Sequence, residues 1–369
     1  MDDPRAYWVG WNLVKGVGAV RFRALLAAFG DAQTAWQAAP EDLRAAGLYE
    51  KQVANLVKVR SQGLMEKHWA QIQSAGIQVL TWDDETYPRR LKEIDQPPPV
   101  LYLRGALLPE DEWAVAIVGT RRVTAYGRSV TEDLAAILAR NGVTVISGLA
   151  RGVDSIAHQA ALNAGGRTMA VMGTGVDQIY PPENQRLAEK MLQQGALVSD
   201  YPLGTQPEGT NFPPRNRLIS GLSLAVAVIE AGQTSGALIT ATFAAEQGRE
   251  VFAVPGNITA PQSQGTNRLI QDGATPLLNP QQVLEALNLT MVTEHRAARR
   301  ALPSDPVEKQ VYQVLSAEPL HVDEIRLRTE MPIEQVSATL ALMELKGMVR
   351  QVGGMNYVAV REQPQDYTV

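Results

Sequence analysis

The run Phe212-Pro213-Pro214-Arg215-Asn216-Arg217 sets two guanidinium groups and an amide beside an aromatic ring at the start of a helical stretch. Arginine forks onto phosphate oxygens, asparagine bonds a backbone or a base, and an aromatic face stacks on an unpaired base. Arginines at a helix start also oppose the macrodipole, a misfit that an anionic ligand would relieve. The plainer reading gives Phe212 a stapling role and both arginines surface ion pairs. Similar chemistry recurs at Gly119-Thr120-Arg121-Arg122 and at Ser147-Gly148-Leu149-Ala150-Arg151-Gly152. Further on, Ser235 and Gly236 open a helix whose free N–H groups suit a phosphate. Asp154 reads as a helix N-cap, His158 as packing against a sheet, and Glu230 as an acceptor for loop N–H groups, because no partner acid is evident. In Gly173-Thr174-Gly175 through Tyr180-Pro181-Pro182-Glu183-Asn184, the glycines suit close backbone approach. The Tyr-Pro-Pro run suits a rigid loop, and Asn184 reads as the cap of the next helix.

Each of these segments follows a short apolar run. Strands are expected at 115–118, 143–146, 169–172, 197–199, 224–229 and 251–254, with amphipathic stretches such as 130–138 and 156–162 between them. Such alternation predicts an α/β fold, a doubly wound Rossmann-like core with a mostly parallel sheet covered on both faces. Ligands in such sheets bind past the C-terminal ends of the strands. The loops then gather Arg121, Arg122, Arg151, Arg215 and Arg217 into a row on one edge, suited to a phosphate backbone. The dinucleotide fingerprint Gly-x-Gly-x-x-Gly is absent, as is a Gly-Lys-Ser/Thr phosphate loop, which removes ATP hydrolysis as a leading idea.

Around this core, residues 1–62 read as helices joined by tight turns. Lys15-Gly16-Val17-Gly18 fits a helix-hairpin-helix, with a weaker second copy at Ala46-Gly47-Leu48; a plain glycine turn fits as well. Residues 63–112 read as a connecting subdomain with a strand at 100–103, residues 113–290 as the Rossmann-like domain, and 291–304 as a polar linker. Residues 305–369 read as a winged helix, its hairpin turning at Gly353-Gly354.

The chain has 369 residues, a net charge of −5, four histidines and no cysteine. Disulfides and cysteine-based zinc sites are thereby excluded, and a cytoplasmic setting is expected. The N-terminus lacks the pattern of a signal peptide, and no apolar run is long enough to span a membrane. Charge is spread evenly, at −2, −1 and −2 over residues 1–112, 113–290 and 291–369. A nucleic-acid site therefore has to focus charge locally. No cofactor and no metal are expected.

Taken in order, Ile117-Val118-Gly119-Thr120-Arg121, Ser147 to Asp154, Tyr180-Pro181-Pro182-Glu183-Asn184, Phe212 to Arg217 and Ser235 to Ala241 resemble the signature of the DNA-processing protein A (DprA/Smf) family. Phe252-Ala253-Val254-Pro255-Gly256 and Gly265 to Ala274 match it too, and the resemblance extends over most of the chain. It implies binding of single-stranded DNA without cleavage. It also implies protection of DNA during natural transformation, loading of the RecA recombinase against single-strand-binding protein, and a homodimer. The binding residues it implies are Gly119, Thr120, Arg121, Arg151, Phe212, Arg215, Asn216, Arg217, Ser235 and Gly236; Arg122 and Gly148 join them from the arginine row and its loops. Where many members carry a basic residue in the Tyr-Pro loop, this chain has Glu183. The competing reading is a LOG-like nucleoside-monophosphate phosphoribohydrolase. That family's Pro-Gly-Gly-x-Gly-Thr loop is replaced here by Glu230-Ala231-Gly232-Gln233-Thr234-Ser235-Gly236. A nucleotide-sensing module is a third option.

Overall fold

The computed structural model describes residues 3–289, 305–316, 319–345 and 348–359. The chain forms two compact units, residues 1–290 and 291–369. The first is built on a nine-stranded sheet. Its strands are β1 (Gln78–Thr81), β2 (Val100–Gly105), β3 (Ala114–Val118), β4 (Thr144–Ser147), β5 (Thr168–Val171), β6 (Ala196–Ser199), β7 (Ala225–Val228), β8 (Glu250–Ala253) and β9 (Thr275–Pro276). Every residue of β3 to β7 is buried, as expected of short apolar strands covered on both faces.

Strand order is β1-β2-β6-β5-β4-β3-β7-β8-β9. The strands from β6 across to β9 pair in parallel, whereas β2 pairs antiparallel with both β1 and β6. The segment read as a connecting subdomain thus supplies two strands to the main sheet. From β3 the chain winds one way through β4, β5 and β6, then crosses back to β7 on the other side of β3. Right-handed crossovers therefore put helices Ala125–Arg140, Val153–Asn163 and Gln185–Met191 on one face, and Phe212–Gly221 and Gly236–Glu246 on the other. The reversal at β3 opens a crevice beyond the C-terminal ends of β3, β4 and β7.

Helices Arg5–Asn12, Ala19–Phe29, Ala32–Gln37, Pro40–Ala45, Glu50–Ser61 and Leu64–Ser74 precede the sheet. Their core is aromatic: Trp8 meets Phe22 edge-on at 4.8 Å and Trp11 meets Trp36 at 5.6 Å. The Tyr102 hydroxyl on β2 donates to Asn12 at 2.9 Å, tying these helices to the sheet. Both glycine turns are present, with Gly16 and Gly47 at φ +90° and +99°. In the first turn, Gln52 and Arg21 donate to the Gly16 carbonyl.

The second unit has helices Pro306–Val314, Val322–Thr329 and Ile333–Leu345, and strands β10 (Leu320–His321), β11 (Val349–Gly353) and β12 (Asn356–Ala359) in the order β10-β12-β11. Val311, Ile325, Val336, Leu340 and Met343 form its core. The sheet is that of a winged helix. Its hairpin turns on Gly354-Met355, both left-handed at φ 55° and 59°, one residue later than expected, because Gly353 still pairs with Asn356. The stretch read as a linker, 291–304, lies outside the described residues.

Candidate nucleic-acid interface

The crevice is a cavity of about 610 Å³. Three strand ends build it. After β3 the chain turns through Gly119, where a Cβ would stand 2.6 Å from Val153 and 3.0 Å from the Glu230 carbonyl, so only glycine lets the three segments meet. The Thr120 amide donates to that carbonyl at 2.7 Å. The Glu230 carboxylate, buried after β7, accepts from the amide and hydroxyl of Thr124, the cap of helix Ala125–Arg140. Glu230 is the acceptor of loop groups expected from the sequence.

After β4, the loop Gly148 to Gly152 is held from within. Asp154 is not a cap, because Gly152 takes that position. Its buried carboxylate reaches back to accept from the amides of Gly148 and Ala150 at 3.1 and 3.3 Å. Burial pushes the Asp154 carboxyl above its ordinary range, with the Arg215 charge opposing. Asn184 does hold the N-cap position of helix Gln185–Met191 but makes no side-chain cap bond; it donates to the Leu149 carbonyl at 2.8 Å and pins the Tyr-Pro-Pro loop against this one. His158 is fully buried, as expected of a packing residue. The Thr168 hydroxyl donates to the Val145 carbonyl at 2.7 Å, so His158 Nδ1, 2.6 Å away, is the donor in that contact. Burial lowers the imidazole to about 3.

Helix Phe212–Gly221 brings the remaining groups, and its arginines part company. Arg215 turns inward with 5% exposure, donating to the carbonyls of Gly148 and Val171 and to Asn216. Burial lowers it to about 10, so it stays charged at neutral pH. Gly148 lies under it: a Cβ there would stand 2.7 Å from the guanidinium. Asn216 donates to the Gly236 carbonyl at 3.2 Å, fixing the start of helix Gly236–Glu246 against the cavity. Arg217 points away, to Asp200 at 2.6 Å and to the Gln96 carbonyl. Carbonyls and a carboxylate of the protein itself thus answer the electrostatic misfit at this helix start.

At the mouth, the Phe212 ring stacks with Tyr180, centroids 5.8 Å apart and planes 28° from parallel. The Arg121 guanidinium lies 5.8 Å from the Phe212 centroid. Arg121 is exposed and makes no ion pair among the described residues. Ser235, Gly236 and Ala237 line the opposite wall, presenting the positive end of a helix dipole.

Of the twelve residues expected at a site, Gly119, Arg121, Phe212, Arg215, Asn216, Ser235 and Gly236 line the cavity. Thr120 braces its loop, accepting from the Arg122 amide, and Arg122 is exposed beside it. Gly148 is packed beneath Arg215, and Arg151 sits exposed, paired with Glu183. The row of five arginines is therefore not formed: Arg215 is interior, Arg217 is paired with Asp200 outside the cavity lining, and Arg151 is paired with Glu183. Tyr180 and Ile239, which also line the cavity, were not among the expected residues. The signal for Tyr180 was an aromatic next to a rigid Pro-Pro loop at a strand's C-terminal end.

Comparison with known proteins places this geometry. Residues 78–288 match the family model of DNA recombination-mediator protein A. Residues 14–61 match a DprA-like N-terminal HHH domain, and residues 295–355 a DprA winged helix domain. The chain is 37% identical over 397 residues to Protein Smf of Synechocystis sp., covering 96% of this chain and 99% of that one. It is 39% identical over 286 residues to Protein Smf of Escherichia coli, covering 76% of each. Among solved structures, it is similar to DNA processing protein A of Streptococcus pneumoniae, with a TM-score of 0.67 and 32% identity over 77% of this chain and 98% of that one. It is also similar to DNA processing protein A of Helicobacter pylori, whose structure describes a single-stranded DNA binding mode, with a TM-score of 0.52 and 33% identity over 57% of this chain and 95% of that one. With the sheet, the helical N-terminal domain and the winged helix all matched, the chain belongs to the DNA recombination-mediator protein A (DprA/Smf) family.

Proposed function

We propose that this chain binds single-stranded DNA in the cavity beyond β3, β4 and β7, and does not cleave it. The observation that carries this reading is the mouth of the cavity. A stacked Tyr180–Phe212 pair, an Arg121 with no ion pair among the described residues and a helix N-terminus converge there on one opening. Stacking needs an unpaired base, since a duplex hides its faces, while Arg121 and the helix start attract phosphates without reading sequence. The acid that lines the cavity, Asp154, already accepts two loop amides, and Glu230 is committed to Thr124. Neither is placed as a free acid for base release, which favours DNA binding over the phosphoribohydrolase reading. The H. pylori relative supports the ligand class. In the same reading the protein acts in the cytoplasm as a homodimer, shields incoming single strands, displaces single-strand-binding protein and helps load RecA.

Gel-shift titration with single- and double-stranded oligonucleotides at two salt concentrations tests the binding step. The expected result is salt-sensitive retention of intact single strands, with duplex bound more weakly. Equal retention of duplex, or shortened DNA, contradicts it.

A further inference from the structure

Arg151 directly follows the cavity-lining Ala150 in the chain. Its Nε donates to the Glu183 carboxylate, and the two side chains are 61% and 49% exposed. A pair so open to water contributes little to stability. Glu183 also lines a second groove of about 650 Å³ of mixed charge, with Arg128, Arg140, Arg186 and Lys190 beside the acids Glu132 and Asp133. The ion pair therefore lies between the cavity, lined by the neighbouring Ala150, and the groove that Glu183 lines.

We propose that Glu183 is a built-in competitor for phosphate on Arg151, setting the affinity for single-stranded DNA below what Arg151 alone would give. This rests on the function proposed above. A phosphodiester and a carboxylate each carry one negative charge and seek the same fork of donors. To reach Arg151, a phosphate displaces Glu183 and then lies within a Debye length of the freed carboxylate. Arg151 holds Glu183 below the usual carboxylate range, so the competitor stays ionised at neutral pH and acts by occupancy rather than by protonation. A strand held this way is more easily passed on.

The test is equilibrium binding of a fluorescent oligothymidine to the full chain over a range of salt. Wild type is compared with Glu183→Gln, Arg151→Ala and the double variant. Glu183→Gln is expected to bind about two- to fivefold tighter, with the slope of log K against log salt steeper by about 0.7, one more phosphate contact. The gain is expected to vanish in the Arg151→Ala background. Wild type that binds while Glu183→Gln changes neither affinity nor slope overturns this inference alone, as does a gain that persists without Arg151. Wild type that fails to bind overturns the function on which it rests.

Discussion

Arg121 and Arg215 both stand about 6 Å from the Phe212 ring centroid, at 5.8 and 6.0 Å, yet they face different environments. Arg121 is open to solvent, so Arg121→Ala is expected to weaken single-strand binding about tenfold for all sequences alike, the size of one lost charge-assisted contact. A loss confined to some sequences in a binding titration would mean that Arg121 reads bases. Arg215 serves the fold. Arg215→Ala strips donors from two carbonyls and leaves Asp154 buried without its counter-charge. The expected cost is on the order of 3 kcal/mol, read as a lower denaturation midpoint. Arg217, held by Asp200, belongs with Arg215. The sequence offered no means of telling these arginines apart. An arginine satisfied by main-chain carbonyls leaves no pattern, and the partner of Arg151 lies 32 residues away.

Strand-to-helix loops give the elements their function. The strands β3 to β8 were legible because each is short, apolar and followed by an amphipathic run. β1 and β9 were not: one is four residues long and half polar, and the other is two residues ending in proline. Loop geometry was the least legible, since Asp154 is not the cap and both Asp154 and Asn184, the latter at its N-cap position, turn their side chains back onto the Gly148 to Ala150 loop. Two predictions belong to this scale. Tyr180→Ala, removing one ring of the stacked pair, is expected to lower single-strand affinity about tenfold, within the range for one stacking contact, while Tyr180→Phe retains it; equal losses would point to the hydroxyl instead. His158 on helix Val153–Asn163 titrates near 3 when folded and near 6.5 when unfolded. The unfolded chain therefore binds the extra proton, and the stability contributed by neutral His158 is complete above pH 6.5 and lost as pH falls toward 3. Between pH 7 and pH 5 this amounts to about 2 kcal/mol. Burial raises Asp154 and Asp200, which opposes that slope. Comparison with His158→Gln isolates the histidine: wild type should lose about 2 kcal/mol more than the variant over that interval. Equal losses would mean that water reaches the ring.

At the scale of the molecule, a net charge of −5 leaves no global field to draw in DNA. In the proposed reading, affinity comes from the local arrangement of Arg121, the helix start at Gly236 and the aromatic pair. The three-part organisation was legible because helical periodicity, alternating strands and a glycine hairpin follow one another along the chain. That the segment 63–112 joins the main sheet was not, because antiparallel pairing of β2 with β6 spans some 95 residues. Winged-helix residues are not needed for the cavity, so a chain ending after the first unit is expected to keep its single-strand affinity in the same titration. Loss of that affinity would place part of the site in the second unit. The most direct test of the central claim is photocrosslinking of a bound, halogenated-uracil oligonucleotide to the wild-type chain, with the modified peptide located by mass spectrometry. The account predicts adducts on Tyr180 or Phe212, lost when excess unlabelled single strand is added. Adducts confined to the N-terminal helices or to residues 305–359, with none at the cavity mouth, would contradict it.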